Sequence, residues 1–283
     1  MRRLNFGTVG IVGLGLVGSS IGMRLRGVGV SKRVIGFDES ESARTLAFNR
    51  GAVDDTFETL NHLGDADILI VAVPANSVLP CLIEADVFCK LNCIVTDTSM
   101  VKGHVVDWTQ AYPLRFGPRF VGGHPMVHER AGRQKPKADL FEGQPWVLTP
   151  VDGTDKGALD AVISLVTALG AKTLILSPEE HDRHAAILSH LPHALAGVLA
   201  QLGQNLVHPE MASAGWKELT KSAEADPHFW ATLLRNNREE VVSSLDDLAY
   251  LIKQLRNAVD ADQHEALMEF FETSRKAGST WAG

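Results

Sequence analysis

The chain has 283 residues, with 27 lysines and arginines against 34 aspartates and glutamates and a formal net charge of −7. That length suits one large domain or two of ordinary size and can bury a substantial core. The acidic balance and the lack of a lysine- or arginine-rich run argue against nucleic-acid or polybasic membrane partners, leaving small anions to local basic residues.

At the N-terminus, Met1-Arg2-Arg3 and the apolar run behind it imitate a secretory signal. That run holds Gly7, Gly10, Gly13, Gly15 and Gly18, lacks a clear cleavage site and continues into domain-like sequence. It reads instead as a strand over 8–12 followed by a helix over 17–26. Between them lies Gly13-Leu14-Gly15-Leu16-Val17-Gly18, a G-x-G-x-x-G at a strand-to-helix junction. The glycines permit a tight turn, close approach of backbone to a pyrophosphate, and close helix–strand packing. The helix N-terminus supplies free N–H groups and a positive dipole end for the phosphates. Asp38 closes a second strand, 33–37, where a carboxylate can take the ribose hydroxyls of an adenosine and repel a 2′-phosphate. No arginine follows immediately, so NAD is expected over NADP.

Further along, a helix is expected over 42–50 and strands over 68–73, 93–96, 120–121, 146–148 and 172–176, with a helix over 156–169. This alternation predicts an α/β fold: a Rossmann-type, doubly wound, mostly parallel sheet. In such sheets the carboxyl ends of the strands face the ligand crevice. Val73, Pro74 and Asn76, then Thr98 and Ser99, then His124 are therefore expected near one another, either as a site or as ordinary loop residues. The three cysteines, Cys81, Cys89 and Cys93, match no zinc or disulfide spacing and point to a reducing cytoplasm.

After Pro178 the strand-like runs stop and helix-period segments take over at 179–206, 211–225, 227–259 and 261–276. The expected division is therefore 1–177, a dinucleotide-binding domain, and 178–283, an all-α domain. Asp226 is a candidate cap ahead of Pro227. The helix starting there carries too much apolar surface on one face to stand alone, so a homodimer through the helical region is expected. No stretch approaches an uninterrupted membrane span. The first helical segment contains Ser189-His190-Leu191-Pro192-His193, two imidazoles around a helix-disrupting proline, which is either a site or a tolerated kink. His181 and His184 face largely away from His190 and His193 at ~100° per residue, so no metal site is expected on that helix.

Taken together, VGIVGLGLVGSS, DTSMVK at 97–102, GGHPM at 122–126, LFEGQPWVLTP at 140–150, HDRHAAILSHLPHALA at 181–196 and WKELTKSAEADPHFW at 216–230 resemble the prephenate and arogenate dehydrogenases of tyrosine biosynthesis. The resemblance covers nearly the whole chain. It implies NAD-dependent oxidative decarboxylation of prephenate to 4-hydroxyphenylpyruvate, a small dicarboxylate substrate, and no nucleic acid or membrane partner. It assigns catalysis to His124, with Ser99 holding that histidine, the substrate hydroxyl and the nicotinamide in register. It gives substrate binding to Ser189, His190, His193 and the loop residue Glu129, and a supporting place to His181. Lys221 stands where the family usually has an arginine; a lysine is a point charge that cannot reproduce a bidentate fork, which opens the side-chain specificity to arogenate or amino-substituted prephenate. Arg130 or Arg133 could supply the missing guanidinium. Two further readings stay open: an NAD-binding regulatory protein without catalysis, and a β-hydroxyacid-type dehydrogenase with Lys221 as acid–base group.

Overall fold

The computed structural model describes residues 5–127, 135–206 and 208–281. Eight strands form one sheet: β1 (Thr8–Val12), β2 (Arg33–Phe37), β3 (Asp55–Phe57), β4 (Ile68–Val71), β5 (Ile94–Asp97), β6 (Phe120–Pro125), β7 (Pro145–Thr149) and β8 (Lys172–Ile175). Their order is β3-β2-β1-β4-β5-β6-β7-β8. All neighbours run parallel except β6 and β7, which are antiparallel. The order reverses between β1 and β4, the switch point at which open sheets of this kind bind ligands.

Strand residues alternate between two apolar cores, as the period of two requires. Val9, Ile11, Ile68 and Ile70 pack on one face with Ile21 and Leu25 of α1 (Leu16–Val28) and with Val162 and Leu165 of α5 (Lys156–Ala168). Val12, Leu69, Val71 and Val95 pack on the other with Val78 and Leu82 of α3 (Ala75–Phe88) and Val105 of α4 (Gly103–Ala111). Helix α2 (Glu41–Asn49) follows β2 and is capped by Ser40. Coverage on both faces explains why β4 reads Ile-Leu-Ile-Val without a polar residue.

The rest is helical: α6 (Pro178–Ala185), a π-helical turn (Ala186–His190), α7 (Leu191–Gly203), α8 (Ala214–Thr220), α9 (Pro227–Asn236), α10 (Arg238–Asp260) and α11 (His264–Thr280). A capping box starts α6: the Glu180 N–H donates to Ser177 Oγ at 3.1 Å and the Ser177 N–H to Glu180 Oε2 at 3.0 Å. The π-helical turn precedes Pro192, whose missing N–H and ring would clash with a regular turn. By length and composition alone, Pro178–Gly203 could cross a membrane, contrary to the sequence expectation. What it buries includes His181, Asp182 and His190, hydrogen-bonded within the fold described below.

The helix expected over 227–259 is two. It breaks at Asn237 (φ −112°, ψ 39°), whose side chain is drawn into the protein. His124, expected just past its strand, lies within β6 and pairs with Val147 of β7. The short β3 was not anticipated. The chain packs as two compact units, one ending at Asn237 and the other starting at Arg238, whereas the composition changes at 177/178. In the second unit α10 and α11 form a helical hairpin that leaves Tyr250, Ile252, Val259, Met268 and Phe271 exposed.

Candidate active site

The turn between β1 and α1 has little room for side chains at two of its glycines. A Cβ on Gly13 (φ +91°) would lie 2.4 Å from the Ala72 carbonyl oxygen, and one on Gly18 would lie 1.9 Å from the Gly13 oxygen. Gly15 differs: a Cβ there would meet nothing within 4 Å. Gly15 is also the N-cap of α1, with no side chain capping the helix and no acidic residue in its first turn. Unclaimed N–H groups and an open approach suit a pyrophosphate. Asp38 accepts hydrogen bonds from the Leu14 N–H (2.8 Å) and the Ser40 N–H (2.9 Å), one on each oxygen. Each oxygen keeps acceptor capacity for ribose hydroxyls. Arg44, which the sequence reading passed over, donates to the carbonyls of Asp38 (2.7 Å) and Glu39 (3.0 Å).

A cavity of about 500 Å³ opens beside this turn. Of the residues singled out in the sequence, Gly15, Leu16, Val17, Val73, Pro74, Asn76, Thr98, Ser99 and His124 line it. Gly13, Leu14, Gly18 and Asp38 shape the turn without lining the cavity. The facing wall comes from α9 and its cap, through Asp226, His228, Phe229, Thr232 and Leu233. Sequence reading found Asp226 only as a helix start; nothing local says that α9 turns toward the crevice.

Behind the cavity lies a fully buried charge pair. Asp97 accepts from Lys102 Nζ (2.5 Å), Ser99 Oγ (2.5 Å), the Ser99 N–H (3.0 Å) and the Gly123 N–H (3.1 Å), while Lys102 Nζ also donates to the Gly123 carbonyl (2.8 Å). Neither side chain of the pair has any exposure. Four satisfied contacts on Asp97 are what make such burial tolerable. The pair ties the ends of β5 and β6 together and sets the backbone immediately before His124. The Ser99 hydroxyl is thus directed to Asp97, also lying 3.0 Å from the Val101 carbonyl, and not to His124 as the family resemblance implied.

His124 is buried, and its Nδ1 lies 2.8 Å from Nε2 of His181. Nε2 is the ring nitrogen left to the cavity. Burial, with His181, Lys102 and His190 nearby, holds the His124 pKa well below the ordinary imidazole range, so the ring is neutral near pH 7. His181 Nδ1 lies 2.7 Å from Asp182 Oδ1, and the Asp182 carboxylate accepts the N–H groups of Lys102 (2.7 Å) and Gly103 (2.8 Å) at the start of α4. Asp182 carried no functional reading in the sequence.

The SHLPH residues sit behind the cavity, outside its lining. His190 is fully buried, its Nδ1 lying 3.2 Å from the Asn237 side-chain amide nitrogen. That amide also donates to the Asp182 carbonyl (2.8 Å), so the nitrogen assignment is fixed and His190 Nδ1 must be the acceptor. The His190 proton is then on Nε2, a buried donor with no partner among the described residues. His193 stacks on Trp230 with ring centroids 3.5 Å apart. Ser189 is half-buried. Lys221 is exposed, 3.5 Å from Glu218, and does not line the cavity. Glu129, Arg130 and Arg133 lie outside the described residues.

Two family models match the chain: the nucleotide-binding domain of prephenate dehydrogenase over residues 21–175, and the prephenate dehydrogenase dimerization domain over residues 177–273. The chain belongs to the prephenate dehydrogenase family. It is 31% identical over 277 residues to prephenate dehydrogenase of Bacillus subtilis, covering 95% of this chain and 74% of that relative. With cyclohexadienyl dehydrogenase of Zymomonas mobilis it shares 28% identity over 284 residues, 96% of this chain and 95% of that one. Among solved structures, prephenate dehydrogenase from Aquifex aeolicus in complex with hydroxyphenyl propionate and NAD+ superposes with a TM-score of 0.90 at 27% identity, covering 97% of this chain and 98% of that one. Synechocystis arogenate dehydrogenase superposes at 0.84, also at 27% identity, over 97% and 100%. The sheet-plus-helices plan described above is thus that of prephenate dehydrogenases.

Proposed function

We propose that this family member is an NAD-dependent prephenate dehydrogenase, converting prephenate to 4-hydroxyphenylpyruvate with loss of carbon dioxide. The observation that carries the reading is His124: a neutral, buried imidazole with Nε2 on the cavity, next to a glycine turn fitted to a dinucleotide. Gly13 to Gly18, Asp38, Val73, Pro74, Asn76 and Thr98 are the groups that would hold NAD. When bound, NAD supplies the hydride acceptor for the ring carbon that bears the hydroxyl.

The chain's own residues handle the rest. His124 Nε2 takes the hydroxyl proton as the carbonyl develops. Breaking the bond to the ring carboxylate then releases carbon dioxide; the electrons of that bond aromatise the ring and pass to the carbonyl oxygen, which takes back the proton held by His124 to give the phenol. Ser99, anchored by Asp97, holds the floor of the pocket beside His124. His190, which the resemblance gives to substrate binding, is proposed to support the substrate wall from behind the cavity lining, its buried Nε2–H having no partner among the described residues. His193 and Ser189 are proposed to extend that support, likewise from outside the lining. Lys221 is proposed as the ligand of the side-chain carboxylate: its exposed ion pair with Glu218 is weak and readily exchanged. Glu129 keeps the loop role that the resemblance implies.

Assembly as a homodimer through residues 178–283 is supported by the dimerization-domain match and by exposed apolar side chains on α10 and α11. A cytoplasmic location is supported by three free cysteines.

The test is NADH formation by purified protein on addition of prephenate, with 4-hydroxyphenylpyruvate as product. Binding of NAD without turnover of prephenate or arogenate would reduce the protein to a nucleotide binder. Arogenate is the second reading, favoured by the fit to Synechocystis arogenate dehydrogenase and by a lysine in place of arginine at position 221. The ratio of kcat/KM for the two substrates decides between them.

A further inference from the structure

We infer that His181 and Asp182 are positioning residues that lock His124 in one tautomer, with its proton on Nδ1 and the Nε2 lone pair toward the cavity. The inference rests on the reading of His124 as the base and explains how it is kept in the competent form. Asp182 is where the chain of hydrogen bonds acquires its direction. Each of its two oxygens accepts a backbone N–H group at the start of α4, so both act as acceptors. A carboxylate engaged in this way has nothing to donate, so at 2.7 Å the proton between Asp182 and His181 belongs to His181 Nδ1.

A neutral imidazole with its proton on Nδ1 has a bare Nε2. That atom lies 2.8 Å from His124 Nδ1, and the rings meet edge to face at 74°, so His124 must be the donor. His124 then has no proton left for Nε2. Against a neutral His181 with a bare Nε2, the opposite tautomer of His124 would bring two lone pairs together at 2.8 Å in a buried place. The same chain also serves the step itself: once Nε2 has taken the substrate proton, the resulting imidazolium is held by its Nδ1–H on His181, which Asp182 polarises. Asp182 brings four elements together. It sits on α6, caps α4, reaches β6 through His181, and holds the end of α9 through Asn237.

Selective ¹⁵N-histidine labelling of the whole enzyme reads the tautomer directly, with His124→Asn assigning the signal. The expected spectrum has His124 protonated on Nδ1 and bare on Nε2. His181→Leu should lower kcat by ~10²-fold or more while leaving the NAD Kd within about threefold, and His181→Gln, whose amide oxygen can accept from Nδ1, should recover at least tenfold of that loss. In Asp182→Asn the amide can donate to His181, reversing the chain and placing the His124 proton on Nε2. If removal of the cap on α4 prevents that variant from folding, the His181 pair and the spectrum decide. A wild-type spectrum with His124 protonated on Nε2 would overturn the assignment, as would His181→Leu with kcat near wild type or with its loss confined to KM for prephenate. Should the wild-type enzyme turn over no prephenate, the spectrum still reports the tautomer, so failure of the substrate reading and failure of this one are separable.

Discussion

On the sheet side of the cavity the groups offered to a ligand are mostly backbone: N–H groups at the start of α1 and a turn in which Gly15 leaves space for phosphate. Along β6 and the helices behind it the groups are buried side chains: His124, which lines the cavity, is linked to His181 and through it to Asp182, and Asn237 reaches both Asp182 and His190. The first wall has fixed dipoles and its fit is steric. The second titrates, and its geometry depends on contacts such as Lys102 to Asp182, separated by 80 residues. A fault in the first should weaken cofactor binding and spare the chemistry; a fault in the second should do the reverse.

The sharpest break of that division is His124→Asn. Loss of a positioned base costs ~10²–10⁴ in rate, so kcat with prephenate should fall by that factor while the NAD Kd, measured by fluorescence titration, stays put. Near-normal turnover would move the base to Lys221 and make the enzyme a β-hydroxyacid-type dehydrogenase. Lys102→Met follows, acting on the floor shared by both walls. It strands the Asp97 carboxylate in a dry interior, and breaking a buried pair in this way costs ~3–5 kcal/mol, readable as a lower urea midpoint. An unchanged midpoint would mean that water reaches Asp97.

How far each wall could be read ahead of the structure follows from the same difference. The turn at 13–18 was legible because its requirements are local: a strand, three glycines and a helix within a dozen residues, with Asp38 one strand later. Ser99 and His124, which the strand-end rule puts at the crevice, line the cavity, His124 from inside β6 and not from beyond it. Asp182 was missed because its value comes from caps it makes for a helix 80 residues earlier. The break at Asn237 was missed because periodicity across 227–259 is continuous; the break coincides with hydrogen bonds from the Asn237 side chain to the Asp182 carbonyl and His190, which no local pattern announces.

A third probe uses the titration of the helical wall. Burial, opposed in part by Asp182, pushes the pKa of His190 down to about 4 from 6.5. With the folded value below the unfolded one, the unfolded chain binds the proton first as pH falls. The contribution is complete above pH 6.5 and is lost as pH drops toward 4, of the order of 3 kcal/mol at most. His190→Phe should therefore flatten the decline of unfolding free energy between about pH 7 and 4.5, whereas an identical slope would show that His190 is already protonated or hydrated in the folded state.

The smallest effect belongs to the backbone wall and separates ligand space from folding space within a single turn. Gly15 has an ordinary φ of −70° and nothing within 4 Å of where an added methyl would sit, so Gly15→Ala asks little of the fold beyond a poorer N-cap, ~1 kcal/mol or less. The methyl instead occupies the approach to the α1 N–H groups. NAD affinity should fall on the order of tenfold, ~1.4 kcal/mol, with kcat at saturating NAD nearly unchanged. Gly13→Ala, by contrast, places its methyl 2.4 Å from the Ala72 oxygen at φ +91°, so stability and NAD binding should fall together. If Gly15→Ala bound NAD as tightly as wild type, the phosphates would have to lie elsewhere, and the assignment of this turn to the cofactor would fail even with the fold intact.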